Sequence, residues 1–154
     1  MKLRRLGIVT ALTAGAAAGS LALAPLATAV VPSTATIGFD CGSYGSGTAT
    51  LTATQNGTAA TISVSTSAIT APIPIGANSV RSTLTLTKNG SGTTTFTGNA
   101  NPAIPSGGAV STGPLNGTVA AGDSLEAASL NVVVFGISAT CTATTPQNPG
   151  PFVF

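Results

Sequence analysis

Along TATLTATQNGTAATISV, Thr48 to Val64, threonine alternates with Ala, Leu, Ile or Val on both sides of Asn56-Gly57. A period of two is the pattern of a half-buried strand. Asn-Gly between two such runs marks a hairpin, because the central residues of its turn need positive φ. A two-residue loop at Asn56-Gly57 sets Ala53 opposite Ala60, Leu51 opposite Ile62 and Ala49 opposite Val64. Apolar then meets apolar on one face, as a consistent register requires. Thr48, Thr50, Thr52 and Thr54 line the other face with hydroxyls.

The same period recurs. In STLTLTKNGSGTTTF, a three-residue loop at Asn89-Gly90-Ser91 puts Leu84 opposite Phe96 and Leu86 opposite Thr94; a two-residue loop would leave Phe96 on the wrong face. Ile37, Phe39 and Cys41 share a phase near the start. Near the end, Leu130, Val132 and Val134 hold one phase, and Phe135, Ile137, Ala139, Cys141 and Ala143 the other. That change predicts a bulge at 133–135 or a strand covered on both faces. APIPIGANS reads as a proline-broken crossing segment and GNANPAIPSGGAVSTGP as a long loop or irregular edge, with a short strand near LNGTVA. DSLEAASL, with Asp123 as N-cap and Glu126 three residues on, predicts one helical turn.

The N-terminus is of another kind. Lys2, Arg4 and Arg5 precede the run LGIVTALTAGAAAGSLALA, which leads to Ala27-Thr28-Ala29. Positive flank, short apolar run and small residues at −3 and −1 read as an export signal cleaved between Ala29 and Val30. Glycines and threonines interrupt the run short of the about 20 apolar residues a spanning helix needs. The general secretory route is expected over the twin-arginine one. Of 154 residues, removal of 29 leaves 125. These hold Arg81 and Lys88 against Asp40, Asp123 and Glu126, a net charge of −1. No basic patch remains to neutralise phosphates, so nucleic acid is not an expected partner. Cys41 and Cys141, the only cysteines, both fall in inward-facing sets, and in an exported chain predict a disulfide.

Together these features predict an all-β, antiparallel, immunoglobulin-like sandwich of six to eight strands over residues 30–145. The disulfide joins its first and last strands, and 146–154 form a proline-rich tail with Phe152 and Phe154 against the body.

The FDCG opening, the PIPIG segment, the NPAIP loop and the ISATC strand resemble those of small exported sandwich proteins of actinobacteria. That resemblance implies export, this fold and a terminal disulfide, and no activity. In composition the chain is also similar to the small-molecule-carrying apoproteins related to neocarzinostatin. Those have four cysteines in two local pairs, whereas this chain has two, far apart.

With no histidine, neither a Ser-His-Asp arrangement nor an imidazole metal site can form. A Ser-Lys arrangement would have to use Lys88, beside an exposed turn, and no enzyme or cofactor is expected. Asp123 and Glu126 are the candidate calcium ligands, weighed against a helix cap. Tyr44, the single tyrosine, is the candidate ligand contact, set in GSYGSG. The threonine rows suit an ice-binding face or, more simply, a polar strand surface without charge. The sequence therefore predicts a secreted, non-enzymatic structural or interaction module at or near the cell surface, with itself or cell-wall polymers as partners. The alternative is an extracellular carrier holding a small apolar ligand. Filled packing with exposed strand edges marks the first, and a large apolar pocket marks the second.

Overall fold

The computed structural model describes residues 29–154. The leader expected over 1–29 lies, apart from Ala29, outside the described residues. Nine strands follow: β1 (Thr34–Asp40), β2 (Ser46–Asn56), β3 (Ala59–Thr70), β4 (Arg81–Lys88), β5 (Gly92–Gly98), β6 (Ala109–Thr118), β7 (Ser124–Val134), β8 (Ile137–Ala143) and β9 (Phe152–Val153). A 3-10 turn, Gly42–Tyr44, joins β1 to β2.

Every pairing is antiparallel, in the order β4-β5-β6-β3-β2-β1-β8-β7, and β7 pairs back onto β4. Eight strands thus close into a barrel, and the expected sandwich is corrected to a closed sheet. The reason lies at two thin seams. β1 meets β8 only at Phe39–Ala143 and Asp40–Thr142, and β5 meets β6 only at Thr97–Asn116. Either side of these seams, β6-β3-β2-β1 and β5-β4-β7-β8 are the two layers a sandwich would have had.

The first seam is reinforced. Cys41 and Cys141 form a disulfide on its next rung, with Cα atoms 4.0 Å apart. Beyond the end of β8, Thr144 N–H donates to Gly38 O at 2.8 Å, and Thr36 and Asn148 exchange backbone bonds of 2.7 and 2.8 Å. The tail therefore covers the edge β1 would otherwise present. It also fills the core: Phe152 and Phe154 are buried, and β9 pairs with β7 where β8 no longer reaches. Val30 is buried, and Val31 exchanges bonds of 3.0 and 2.9 Å with Val153.

Two hairpins test the predicted registers. At β4–β5, Leu84 faces Phe96 and Leu86 faces Thr94 across Asn89-Gly90-Ser91, as expected. At β2–β3 the turn sits one residue later, on Gly57-Thr58, so Ala53 faces Ile62 and Leu51 faces Val64. Gly57 has φ 62 and Thr58 does not have positive φ, which suits a turn with glycine at its first central position. Both registers put the same residues on the same faces, so alternation alone does not separate them.

Two further expectations are corrected. DSLEAASL is not helical but opens β7, with Leu125 and Ala127 buried. The phase change near 133–135 is neither a bulge nor a doubly covered strand. It is the β7–β8 hairpin turn, with Phe135 at φ 52 and Gly136 at φ 75. A register shift does occur in β7, but earlier, at Ala128, where Thr85 faces Ser129 and Leu86 faces Ala127.

Candidate functional site

The loops β2–β3, β4–β5 and β6–β7 lie at one end of the barrel with β9. The loops β1–β2, β3–β4, β5–β6 and β7–β8 lie at the other. The first end is filled. Phe96, Phe152, Leu86, Ile62, Leu115 and Leu125 are fully buried there, and Phe154 packs 6.5 Å from Phe96 and 6.4 Å from Phe152 between ring centres.

The second end is hollow. An apolar cavity of about 100 Å³ occupies the lumen, walled by inward residues of every barrel strand except β5. Ile37, Phe39, Leu51 and Leu84, all buried, form its body, with Val64, Ile69, Val110, Leu130 and Val132 half-buried around it. Its width follows from irregular strands. The β3–β6 pairing shifts between Ile62 and Val64 and again between Thr66 and Thr70, and β7 carries its own shift at Ala128. Bulges bend strands and locally disrupt the ladder, and these three all touch the cavity wall.

Two loops lie beside it. Ala71, Ile75, Val80 and Ile104 form a small second core resting on Val132 and Val134. Ile75 and Ile104 exchange backbone bonds of 2.8 and 2.9 Å. Asn101, buried, accepts from the N–H groups of Ser79 and Val80 at 2.8 and 2.9 Å, and donates to the carbonyls of Gly76 and Pro102 at 3.0 and 2.7 Å. The proline-broken segments are thus tied to one another beside the cavity.

Ser65, Thr66, Ser111, Thr112 and Ser129 bring hydroxyls to this wall, and Thr112 belongs to a buried pair. Ser82 and Thr112 are buried, and their hydroxyl oxygens lie 2.6 Å apart, bridging β4 to β6. Two hydroxyls carry two protons, and their mutual bond uses one. No side chain or carbonyl among the described residues accepts the other. Thr112 lines the cavity. The sequence reading missed both residues, although Ser82 shares its phase with Leu84 and Leu86.

The anticipated site residues lie elsewhere. Cys41 and Cys141 are joined and line the lumen. Tyr44 is exposed on the 3-10 turn, apart from the cavity wall. Asp123 and Glu126 are not brought together as ligands. Asp123 is buried at the filled end, accepting from Ala120 N–H at 2.8 Å and lying 3.1 Å from Lys88 Nζ. The Ala120 N–H, followed by Lys88 and Asn89, holds its carboxyl below the usual range against the opposing pull of burial. Glu126 instead accepts from Gln147 N–H at 3.1 Å. No cluster of three potential metal ligands occurs among the described residues. Lys88 is engaged with Asp123, and Thr83 and Thr85 belong to a strand paired on both sides. No helix among the described residues is long and apolar enough to cross a membrane.

No protein-family model matches this chain, and comparison with curated proteins and with solved structures likewise finds no match.

Proposed function

We propose that the protein is an exported, non-enzymatic carrier that holds a small neutral apolar molecule in the hollow end of its barrel. One observation carries this reading: a closed, disulfide-latched barrel packed at one end and hollow at the other, with an apolar wall. A void of this kind forfeits packing contacts, and engineered apolar cavities of about 150 Å³ stay dry and take up benzene-sized guests. The ligand is a compact hydrocarbon body with few hydrogen-bonding groups, because the wall offers no charge and its polar side chains are hydroxyls, among which Thr112 shares one spare proton with Ser82. The disulfide fits an oxidising, extracellular setting, and burial of Val30 beside the expected cleavage site fits a mature chain that starts there.

Self-association through strand edges, one form of the structural or interaction module expected from sequence, is less supported at β1, whose outer edge pairs with β8 and the tail. The test is extraction of the protein recovered from culture medium with organic solvent, followed by mass spectrometry. A recurring neutral apolar compound at near one-to-one stoichiometry supports the carrier. Protein that arrives empty and takes up none of a panel of small hydrocarbons, ketones and esters overturns it.

A further inference from the structure

The β7–β8 turn breaks a rule that the rest of the chain keeps. Phe135 and Gly136 both have positive φ, 52 and 75, the turn for which Asn-Gly is the favoured pair. Every other positive-φ position among the described residues is glycine or asparagine, and phenylalanine stands here. A bulky residue at positive φ is a backbone outlier, and outliers of this kind persist where a function selects them. Phe135 gains nothing from the fold, since it is 62% exposed, and Ile137 beside it is 58% exposed.

Its neighbours at that end are similar. Ile73 on the β3–β4 loop is 54% exposed, and Tyr44 on the β1–β2 turn is 50%. Four of the six exposed large apolar residues among those described therefore crown the hollow end, two from the β7–β8 hairpin and one each from the β1–β2 and β3–β4 connections. The connecting residues 41–45, 71–80, 99–108 and 135–136 contain no charged side chain. Arg81, exposed at the start of β4 beside Val133, and Asp40, at the end of β1, are the charges nearest them.

We propose that this crown is a membrane-docking surface that seats Phe135, Ile137, Ile73 and Tyr44 in the headgroup and upper acyl region of a lipid bilayer. Two considerations favour lipid over protein. Half-exposed side chains of this size offer roughly 100 Å² each, about 400 Å² in all, half of the about 800 Å² per partner of a stable protein interface. They are also separate protrusions, which fluid lipid can surround one by one. Aromatic and apolar side chains flanked by hydroxyls suit the interfacial zone. With one cation and one anion nearby, attachment is apolar and insensitive to salt. The inference stands independently of the carrier reading, though docking there would bring the hollow end to the bilayer.

The experiment is flotation of the purified protein with phosphatidylcholine vesicles, and with the same vesicles containing phosphatidylglycerol, at low and high salt. The expected result is co-flotation with both, unchanged by salt. Phe135→Asn restores the favoured turn pair, so it should raise the thermal midpoint while weakening partition about tenfold, the effect of withdrawing one half-buried apolar side chain. Ile137→Thr, a second variant that keeps a strand former, should weaken it similarly. Wild-type protein that stays with the soluble fraction overturns the proposal. So does Phe135→Asn protein that floats as well as wild type. Self-association without vesicles, abolished by Phe135→Asn, would assign the crown to a second copy and equally overturn it.

Discussion

The ring of Phe96 rests on the backbone of Gly117 so closely that a Cβ at Gly117 would come within 2.7 Å of three ring carbons. This contact plugs the thin β5/β6 seam, where only Thr97–Asn116 pairs across. A methyl group at Gly117 has no room, because Phe96 is fully buried against Phe154. Gly117→Ala should therefore lower stability by about 1–3 kcal/mol, the usual range for overpacking, as measured by urea unfolding. An unchanged midpoint would show that the seam yields freely.

The opposite seam depends on Cys41–Cys141, flanked by two strand-paired rungs. The disulfide closes a loop of sequence separation 100. Reduction should lower stability by about 2–4 kcal/mol and accelerate amide exchange first in β1 and the 144–148 segment. Uniform acceleration across all strands would instead mean that the bond acts only on the unfolded chain.

Asp123 sets the acid limit. Its carboxyl titrates below the usual range because it accepts the Ala120 N–H, with Lys88 and Asn89 adding to that effect. The folded state thus holds this proton less tightly than the unfolded chain does. The contribution is complete above the unfolded carboxylate value, about 3.9, and is lost as pH falls through the folded one. Stability should be flat near neutrality and decline below about pH 4. Asp123→Asn should flatten that decline and reduce stability near neutrality by about 1–3 kcal/mol, since it breaks charge-assisted hydrogen bonds in a buried place. Calorimetry of both proteins across the acid range tests this.

Ile62 and Val64 lie two residues apart on the inner face of β3, but one sits in the packed half and the other on the cavity wall. Ile62→Phe should cost about 1–3 kcal/mol through overpacking. Val64→Phe should be neutral or stabilising, because its added atoms enter space that holds no contacts. Equal losses from the two substitutions would mean that the lumen is as tightly packed as the rest.

Much of this architecture is legible in the sequence, and the exceptions have physical causes. Alternation marks inward residues such as Leu51, Leu84 and Cys141, and the Phe96 phase selects the longer β4–β5 loop. The same alternation is blind to a shift of the β2–β3 pairing that preserves every face. The start of β7 escapes detection because its phase resets at Ala128 after only Leu125 and Ala127, leaving Asp123 and Glu126 to suggest a helix start. Closure rather than layering depends on a few rungs at Phe39, Asp40 and Thr97, between strands distant in the chain. The cavity arises where the β3–β6 pairing and β7 bulge, and the Ser82–Thr112 pair becomes visible only once the barrel brings β4 and β6 together past the end of β5.

The central claim is that the lumen takes a neutral apolar guest carrying one acceptor. Methyl-resolved NMR during parallel titrations with benzene and acetophenone tests it most directly. The account predicts saturable shifts of the wall methyls, those of Ile37, Leu51, Val64, Leu84 and Leu130 among them, with Leu115 and Leu125 at the packed end unmoved. It also predicts tighter binding of the ketone by about fivefold, the worth of a typical net hydrogen bond, and loss of that preference in Thr112→Val. Titrations that leave the lumen methyls unshifted at saturating benzene and acetophenone would contradict it.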